Sequence, residues 1–403
     1  MRNIAVVVAS HDMSWSTAKV AVGLNEYLNR AGYSSTLYCA RSCGRRDDAF
    51  YVSGQFARQL HIALCRITGM DGSYSTLPTR RMLRHMKAAQ VDTVFIAMTH
   101  GCFINEGMLY EYIRKEGIAL VYIMLTEYPY LGKCHFGRGC TNYLDGCRNC
   151  PQENIYPKSL LKAGHRLYER KERSYKGLRR AVFVGPEITV ENARKSPLMK
   201  DIPLALADES IDVSLYRPRD TRRLRAELGI PDDKIVCMCV AVYDGVFHER
   251  KGVPYYIELA RKFEHDDRYA FVQVAYVAEY PGGLPSNYIP VGFIDDNDKV
   301  AEYLSLGDIF VFPSVADTMP NTCLEALACG TPLLAWRLYG NERMAPEPLG
   351  TFVTPTDVDA MAEVVRGLKK KTAETVRECR EYAVGRYDSR EYFKKLAEYA
   401  ESL

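Results

Sequence analysis

The sequence predicts an α/β protein in which helices cover both faces of parallel sheets. Short apolar, β-branched runs such as residues 309–312 are typical of strands that are buried on both faces. Helical patterns alternate with these runs, which favours βαβ units. The length of 403 residues indicates two domains, or three. A hydrophobic content of 47% and a charged content of 26% are those of a soluble globular protein.

The N-terminal half begins with a βαβ pattern. A strand over residues 3–8 is followed by a helix over 17–30, which Gly32 ends, and by a strand over 35–39. This is the opening of a doubly wound domain, whose ligands bind beyond the carboxyl ends of the strands. The further elements predicted here are strands over 93–97, 181–184 and 202–206 and helices over 79–88, 158–180 and 192–200.

The C-terminal half repeats the alternation. Its predicted strands cover 234–242, 269–277, 289–293, 309–312, 333–336 and 351–354. Its predicted helices cover 254–263, 299–306, 323–329, 358–369, 373–382 and 387–403.

The stretch DIFVFPSVADTMPNTCLEALACGTPLLAW, residues 308–336, contains the strongest local pattern. Its loop leads into a helix that Asn321 or Thr322 can cap, and a helix N-terminus offers N–H groups and positive dipole to an anion. The carboxylates of Asp317 and Glu325 could accept hydrogen bonds from sugar hydroxyls. The alternative is an ordinary βαβ unit with two surface acids.

This stretch resembles the donor-binding signature of retaining glycosyltransferases of family 4. That family has the GT-B architecture, two Rossmann-like doubly wound domains facing a cleft, and usually has two glutamates with seven residues between them. Here Asp317 and Glu325 have that spacing. The resemblance implies that Glu325 holds the ribose hydroxyls and that Asp317 and the following loop hold the sugar ring. The loop residues assigned to the donor are Thr318, Met319, Pro320, Asn321 and Thr322.

Two further segments of the C-terminal half resemble donor-binding parts of the same family. Arg250 and Lys251 precede Gly252, and relatives use such cations on the donor pyrophosphate. Gly292 and Phe293 follow a predicted strand, where relatives enclose the base of the nucleotide. Without the resemblance, Arg250 and Lys251 would be interpreted as surface charges.

The N-terminal half contains two candidate residues for catalysis. His100 lies at the carboxyl end of the strand over 93–97, where a polar side chain is a plausible site residue, although a lone histidine is more often structural. Relatives mostly have His-Asp where this chain has Thr126-Glu127. Glu127 could act as an acid or base only if its pKa were raised.

The segment over residues 126–152 is rich in cysteine. Cys134, Cys140, Cys147 and Cys150 follow the spacing C-x5-C-x6-C-x2-C, which suits a structural, tetrahedral thiolate zinc site. Iron–sulfur ligation and four free thiols are the alternatives. Residues 60–75, the stretch from Asp92 to Ile123 and this insertion resemble the family 4 subset that builds bacterial cell-surface polysaccharides.

The predicted domains are an acceptor-side domain over 1–212, a nucleotide-sugar domain over 213–386 and a terminal helix over 387–403 that crosses back to the first domain. No run of 18 apolar residues is present, and the chain is expected in the cytoplasm. The basic helix over 158–180 could contact anionic lipid at the inner face of a membrane, although a solvated helix face is the commoner reason for such charge. A net charge of +3 gives no argument for nucleic acid.

The sequence therefore predicts a retaining hexosyltransferase that moves a sugar from a UDP- or GDP-sugar to a glycan or lipid-linked acceptor, with no catalytic metal. The first alternative is a catalytically degenerate GT-B protein that binds a sugar or a partner enzyme. The second alternative is a glycosyltransferase that acts on nucleic acid or protein.

Overall fold

The structure is a computed structural model that describes residues 2–12, 16–40, 45–154, 157–243, 248–275, 280 and 282–403. The chain divides into two compact units, of which the first comprises Met1–Glu209 and Arg390–Leu403 and the second comprises Ser210–Ser389. The first unit is called unit 1 below and the second unit 2.

Most of the strands follow the predicted apolar runs, which turn residues bound. Two strands, Ala49–Tyr51 and Ala119–Ile123, were not predicted. The described strands are β1 Asn3–Val7, β2 Ser34–Cys39, β3 Ala49–Tyr51, β4 Thr93–Ile96, β5 Ala119–Ile123, β6 Ala181–Gly185, β7 Leu204–Leu206, β8 Ile235–Val240, β9 Tyr269–Val274, β10 Tyr288–Gly292, β11 Ile309–Phe312, β12 Leu333–Trp336 and β13 Gly350–Val353. The last two residues of the predicted strand over 269–277 lie outside the described residues.

The α-helices alternate with these strands. They are α1 Ser16–Arg30, α2 Gln55–Thr68, α3 Thr76–Ala88, α4 Glu106–Glu116, α5 Gly164–Tyr175, α6 Glu187–Lys195, α7 Arg222–Glu227, α8 His248–Lys251, α9 Val253–Arg261, α10 Asn297–Leu306, α11 Asn321–Ala328, α12 Val358–Arg366, α13 Ala373–Tyr387 and α14 Ser389–Glu401. Among the residues that the structure describes, no helix is both long and apolar enough to span a bilayer.

The sheet of unit 1 has seven described strands in the order β3-β2-β1-β4-β5-β6-β7. Every pair in it is parallel. The order reverses between β1 and β4, so the loops that follow these two strands lie at the topological switch point where ligands bind in such sheets. His100 is in the second of these loops.

The sheet of unit 2 has six described strands, also parallel, in the order β10-β9-β8-β11-β12-β13. Its switch point lies between β8 and β11. The segment 248–252 follows β8 and the loop 313–320 follows β11, so both predicted donor-binding segments are at this point.

Two predicted helices of unit 1 differ most from the helices in the structure. The basic helix predicted over 158–180 is α5, Gly164–Tyr175, and the helix predicted over 192–200 is α6, Glu187–Lys195. The charge run was also wrongly taken as one outward face, because Lys171 is buried. Its Nζ atom donates to the carbonyl oxygens of Leu131 and Gly132 at 2.9 and 2.8 Å, and these acceptors compensate the burial of an ammonium group.

The end of the chain packs in unit 1. Leu396 of α14 is fully buried in the same apolar cluster as residues of α1 and β1. The hydroxyl of Tyr399 donates to the carbonyl oxygen of Leu206 at 3.0 Å, and the Nε of Arg180 donates to that of Leu403 at 2.8 Å. A helix remote in sequence therefore closes one face of the first sheet.

Candidate functional site

The densest group of predicted site residues lies at the switch point of unit 2. Asp317 accepts hydrogen bonds through Oδ2 from Nη1 of Arg250 at 3.0 Å and from Nζ of Lys251 at 2.9 Å. Arg250 also donates from Nη1 to the carbonyl oxygen of Ala316 at 2.9 Å. Residues that are 66 and 67 positions apart in the chain thus form one cluster of two cations and a carboxylate, which we call the cationic cluster.

The backbone holds the two segments of the cationic cluster together. The carbonyl oxygen of Arg250 accepts from the N–H of Val315 and from the hydroxyl of Ser314, both at 2.9 Å. Gly252 has a φ of +67°, and a Cβ atom there would lie 1.9 Å from the carbonyl oxygen of Pro313. Only a residue without a side chain permits this approach. The structure therefore explains why a glycine occupies position 252, which the sequence pattern did not.

The charges of the cluster set the ionisation of Asp317. Burial raises the pKa of the Asp317 carboxyl, but Lys251 and Arg250 lower it by more, so that the net shift is downward from the ordinary value. The carboxylate is therefore ionised at neutral pH. An anionic ligand at this point would compete with Asp317 for the same two cations.

The helix α11 begins directly after the loop of Asp317. The prediction that Asn321 or Thr322 caps it was wrong, since Pro320 is the N-cap, with φ −71° and ψ 116°, and no side chain caps the helix in the described structure. Proline fixes this extended backbone conformation but offers no side-chain acceptor and no N–H. The oxygen Oδ1 of Asn321 is buried without a hydrogen-bond partner among the described residues.

The remaining loop residues differ in exposure. Thr318 and Met319 are buried, and Met319 belongs to the apolar core of unit 2, while Thr322 is half-buried. The N–H of Thr318 donates to Oδ1 of Asp317 at 3.2 Å. Met319 is therefore positioned by packing, whereas Thr318 and Thr322 lie next to the carboxylate and the helix N-terminus.

Glu325 is buried on α11 with 3% of its surface exposed. It forms a hydrogen bond with Tyr216, whose pKa is raised first by burial and then by the Glu325 charge. The Tyr216 hydroxyl also lies 3.1 Å from Oδ1 of Asn297. Sequence reasoning missed Tyr216 as a partner of Glu325.

Gly292 and Phe293 lie at the carboxyl end of β10. Gly292 has a φ of +86°, and its carbonyl oxygen accepts from the N–H of Ala275 at 2.8 Å. The side chain of Phe293 is 62% exposed. A large apolar side chain that is exposed at the ligand-binding edge of a parallel sheet is available for stacking.

In unit 1, His100 is buried against two other rings. Its ring centroid lies 3.9 Å from that of His135 and 4.9 Å from that of Tyr128. Burial, His135 and Lys171 lower the pKa of His100 well below its ordinary value, so the ring is neutral at pH 7. Its Nδ1 atom has no hydrogen-bond partner within the described part of the chain. His135, next to Cys134, had not been identified as a site residue.

Glu127 is buried with both carboxylate oxygens engaged. Oε1 accepts from the hydroxyl of Tyr130 and Oε2 from the N–H of Gly137. Burial raises the pKa of Glu127, while these two hydrogen bonds lower it by less. The raised pKa that proton transfer requires is present, but the same contacts also tie the cysteine-rich segment to the end of β5.

The four cysteines of the insertion come together only in part. The Cys134 thiol donates to the Cys150 sulfur, and this bond lowers the pKa of Cys150 to about 7 although burial raises it. Burial raises the pKa of Cys147 to about 11. Among the described residues, no three of these four sulfurs lie within 4.8 Å of one another. That spacing does not fit a single tetrahedral ion as it stands, so the zinc interpretation of these cysteines stays a prediction.

A family model described as glycosyl transferases group 1 matches residues 239–371. The match contains the cationic cluster, Gly292, Phe293 and α11. A curated relative that carries the name colanic acid biosynthesis glycosyl transferase WcaC, from Escherichia coli (strain K12), is 25% identical over 230 residues. The alignment covers 55% of this chain and 53% of that protein, so the chain spans about half the length of this relative.

Solved structures match the whole chain. Sucrose-phosphate synthase (tll1590) from Thermosynechococcus elongatus has a TM-score of 0.70 at 14% identity, with 100% of this chain and 99% of that chain covered. The Anabaena protein Alr3699/HepE in complex with UDP-glucose has a TM-score of 0.69 at 13% identity, with 100% of both chains covered. These similarities confirm the predicted fold class, two Rossmann-like parallel-sheet domains like those of GT-B glycosyltransferases.

Proposed function

We propose that the protein is a retaining glycosyltransferase of the family 4 type, which transfers a hexose from a nucleotide-sugar to a glycan or lipid-linked acceptor in polysaccharide synthesis. The observation that carries the proposal is the convergence of Arg250, Lys251 and Asp317 beside the uncapped N-terminus of α11. Two cations and a helix N-terminus at a switch point are what a sugar diphosphate requires. The family match over residues 239–371 supports this assignment.

The chemistry follows from the charges. As the bond between the sugar and the diphosphate breaks, negative charge develops on the leaving phosphate, and Arg250 and Lys251 stabilise it. Asp317 keeps both cations oriented before the donor binds. When the phosphate of the donor forms an ion pair with one of these cations, the Asp317 carboxylate becomes available to accept a hydrogen bond from a sugar hydroxyl.

The other donor contacts are assigned to groups at the same edge of the sheet. Glu325 accepts from the ribose hydroxyls, and Phe293 stacks on the base, with Gly292 allowing the close backbone approach. The donor is a UDP- or GDP-sugar, and UDP-glucose is the ligand named for the Anabaena neighbour.

On unit 1, we assign the contact with the reacting hydroxyl of the acceptor to His100 rather than Glu127. His100 is neutral and has a nitrogen without a partner in the described structure, whereas both oxygens of Glu127 are engaged. Its lowered pKa makes the imidazole a weak base, so we assign it a hydrogen bond that orients this hydroxyl rather than full removal of the proton.

The test is a thermal-shift screen of the full chain against UDP, GDP, ADP and their hexose conjugates. A ligand that binds the native state raises the melting temperature by mass action. We expect a rise with one nucleotide family that is abolished in Arg250→Met and Lys251→Met. The matched control is Lys369→Met, which removes an exposed cation from the same unit and leaves the rise intact.

A measurement of turnover distinguishes an active glycosyltransferase from a catalytically degenerate GT-B protein that only binds the donor. With the nucleotide identified, release of the nucleoside diphosphate from the nucleotide-sugar is expected, and His100→Ala is expected to lower this rate at least about tenfold with an unchanged thermal shift. NMR of the product is expected to show the anomeric configuration of the donor. Binding without any release would indicate the degenerate protein, and no rise with any nucleotide would overturn the proposal.

A further inference from the structure

A second cluster of side chains lies in unit 1, apart from the cysteine-rich insertion. The ligand atoms of His61, Cys65, Asp71 and Cys102 all lie within 4.8 Å of one another, the one such group of three or more in the described residues. Ligands bound 2.0–2.3 Å from a tetrahedral ion lie roughly 3.3–3.8 Å apart. The cluster therefore has the dimensions of a metal site to within small side-chain movements.

Helix geometry brings the first two members together. His61 and Cys65 are four residues apart on α2, so both side chains project from the same face. Asp71 follows in the turn after this helix, and Cys102 comes from the loop after β4. The four members thus come from two segments about 30 residues apart, which ion binding would join.

His61 is oriented as metal-ligating histidines are. Its Nδ1 lies 2.6 Å from the hydroxyl of Ser75, and its Nε2 lies 3.8 Å from Oδ1 of Asp71. The side chain is 1% exposed, and Nε2 has no hydrogen-bond partner among the described residues. A buried nitrogen without a partner is costly, and an ion bound there would remove that cost.

Asp71 is also held by three backbone N–H groups. Its Oδ2 accepts from the N–H of Gly101 at 3.0 Å, and its Oδ1 accepts from the N–H groups of Cys102 and Gly72 at 3.1 and 2.7 Å. These bonds fix the carboxylate and leave one lone-pair site, on Oδ2, for an ion. Cys102 has a φ of +60°, a conformation that a residue with a Cβ rarely adopts. The surrounding contacts therefore hold Cys102 in a strained backbone conformation, and this conformation places its thiol in the cluster.

The two thiols lie in contact with each other. The Cys102 thiol donates a hydrogen bond to the Cys65 sulfur. A metal binds the thiolate form, so an ion at this point would take the place of the thiol protons.

We propose that His61, Cys65, Asp71 and Cys102 bind a structural zinc ion. Two thiolates, one imidazole and one carboxylate suit Zn²⁺ better than the harder Mg²⁺ or Ca²⁺, and four protein ligands leave no open position for a catalytic water. Binding releases the thiol protons to solvent. The ion joins the end of α2 to the loop that contains His100, and it does not depend on the proposed transferase activity.

The experiment measures zinc per chain in the purified full-length protein by mass spectrometry of the metal. We expect the Cys65→Ser/Cys102→Ser variant to contain about one zinc ion less than the unaltered chain. Cys39→Ser, which removes a buried thiol of the same unit, is expected to leave the content unchanged. Cys134→Ser/Cys150→Ser is measured in parallel, so that any metal in the insertion is counted separately.

A measurement on the unaltered chain covers the case in which the double variant does not fold. After zinc is removed with a chelator, Cys65 and Cys102 are expected to react with iodoacetamide, and added zinc is expected to restore their protection. X-ray absorption of the zinc-loaded Cys134→Ser/Cys150→Ser chain is expected to show a mixed shell of sulfur and nitrogen or oxygen. Equal zinc content in the Cys65→Ser/Cys102→Ser variant and the unaltered chain, thiol reactivity independent of zinc, or a Cys65–Cys102 disulfide in a zinc-free chain would each overturn the proposal.

Discussion

Asp317, which we propose as a ligand of the donor sugar, also holds the cationic cluster together. Its Oδ2 accepts from both Arg250 and Lys251, and the three side chains are only 14–27% exposed. In such a partly buried cluster, removing the single anion leaves two cations facing each other with reduced solvation. The residue that the resemblance assigns to the donor sugar is therefore also the counter-ion of the residues assigned to the diphosphate.

We expect Asp317→Asn to lower the free energy of unfolding by about 2 kcal/mol at pH 7, below the cost of breaking a fully buried pair because solvent screens the cluster. The depressed pKa means that the carboxylate contributes stability above its unfolded-state pKa of about 3.9 and loses it as pH falls through the lower folded-state value. Urea unfolding of both proteins at pH 7, 5, 4 and 3 checks this: the difference is constant down to about pH 5 and shrinks below about pH 4.

The matched control for this prediction is Asp220→Asn. Asp220 pairs with Arg222 on the surface of the same unit, where solvent screens the pair, and we expect little change in stability. A difference for Asp317→Asn that persists unchanged at pH 3 would show that the carboxylate charge is not what stabilises the cluster.

At the scale of elements, the short helix α8 meets the loop after β11 through Gly252. The residue connects α8 to α9 in a left-handed conformation and lies directly against the carbonyl of Pro313. The indole Nε1 of Trp336 donates to that same carbonyl at 2.8 Å. The helix α8, the loop after β11 and the strand β12 thus meet at the peptide group of Pro313. This contact explains how Arg250 and Lys251 keep their positions although α8 has only four residues.

Gly252→Ala is expected to lower the free energy of unfolding by about 3 kcal/mol, since the strain of positive φ adds to a clash with backbone that cannot move away. Gly229→Ala separates the two causes, because Gly229 has a similar φ of +64° and open space around its Cβ position. It is expected to cost only about 1 kcal/mol. Denaturant unfolding of both variants gives the comparison, and equal costs would contradict the close approach at Pro313.

At the scale of the whole molecule, the chain leaves unit 1 after Glu209 and returns to it at Arg390. The returning helix α14 contributes Phe393, Leu396 and Ala400 to the apolar cluster that covers one face of the first sheet. Unit 1 is therefore complete only when the last residues of the chain are in place.

We expect Leu396→Ala to destabilise unit 1 by about 3 kcal/mol, because it removes a fully buried side chain from this cluster. Hydrogen exchange is expected to increase in β1 and α1, with unit 2 unchanged. Lys395→Ala, at an exposed position of the same helix, is the control. Increased exchange confined to unit 2 would contradict the assignment of α14 to unit 1.

The sequence by itself was enough for the class of fold and for most elements. Residues 309–312 and 333–336 were predicted as strands with the bounds that the structure has, because uninterrupted apolar runs between turn residues leave few alternatives. The charge run over 158–180 was less informative. Periodicity does not show that the side chain of Lys171 points inward, where carbonyl oxygens of a segment remote in sequence accept hydrogen bonds from its ammonium group.

For the candidate site too, some residues could be predicted from the sequence and others were found only in the tertiary structure. The predicted donor loop over residues 318–322 and the cations Arg250 and Lys251 were singled out by the resemblance to family 4, and without it the two cations would have been interpreted as surface charges. Only the tertiary structure placed Asp317 on both cations, Tyr216 on Glu325, and Cys102 beside His61, Cys65 and Asp71. Local sequence determines which chemistry a segment can offer, whereas partners that are distant in the chain meet only because packing of the sheets brings their loops to the same edge.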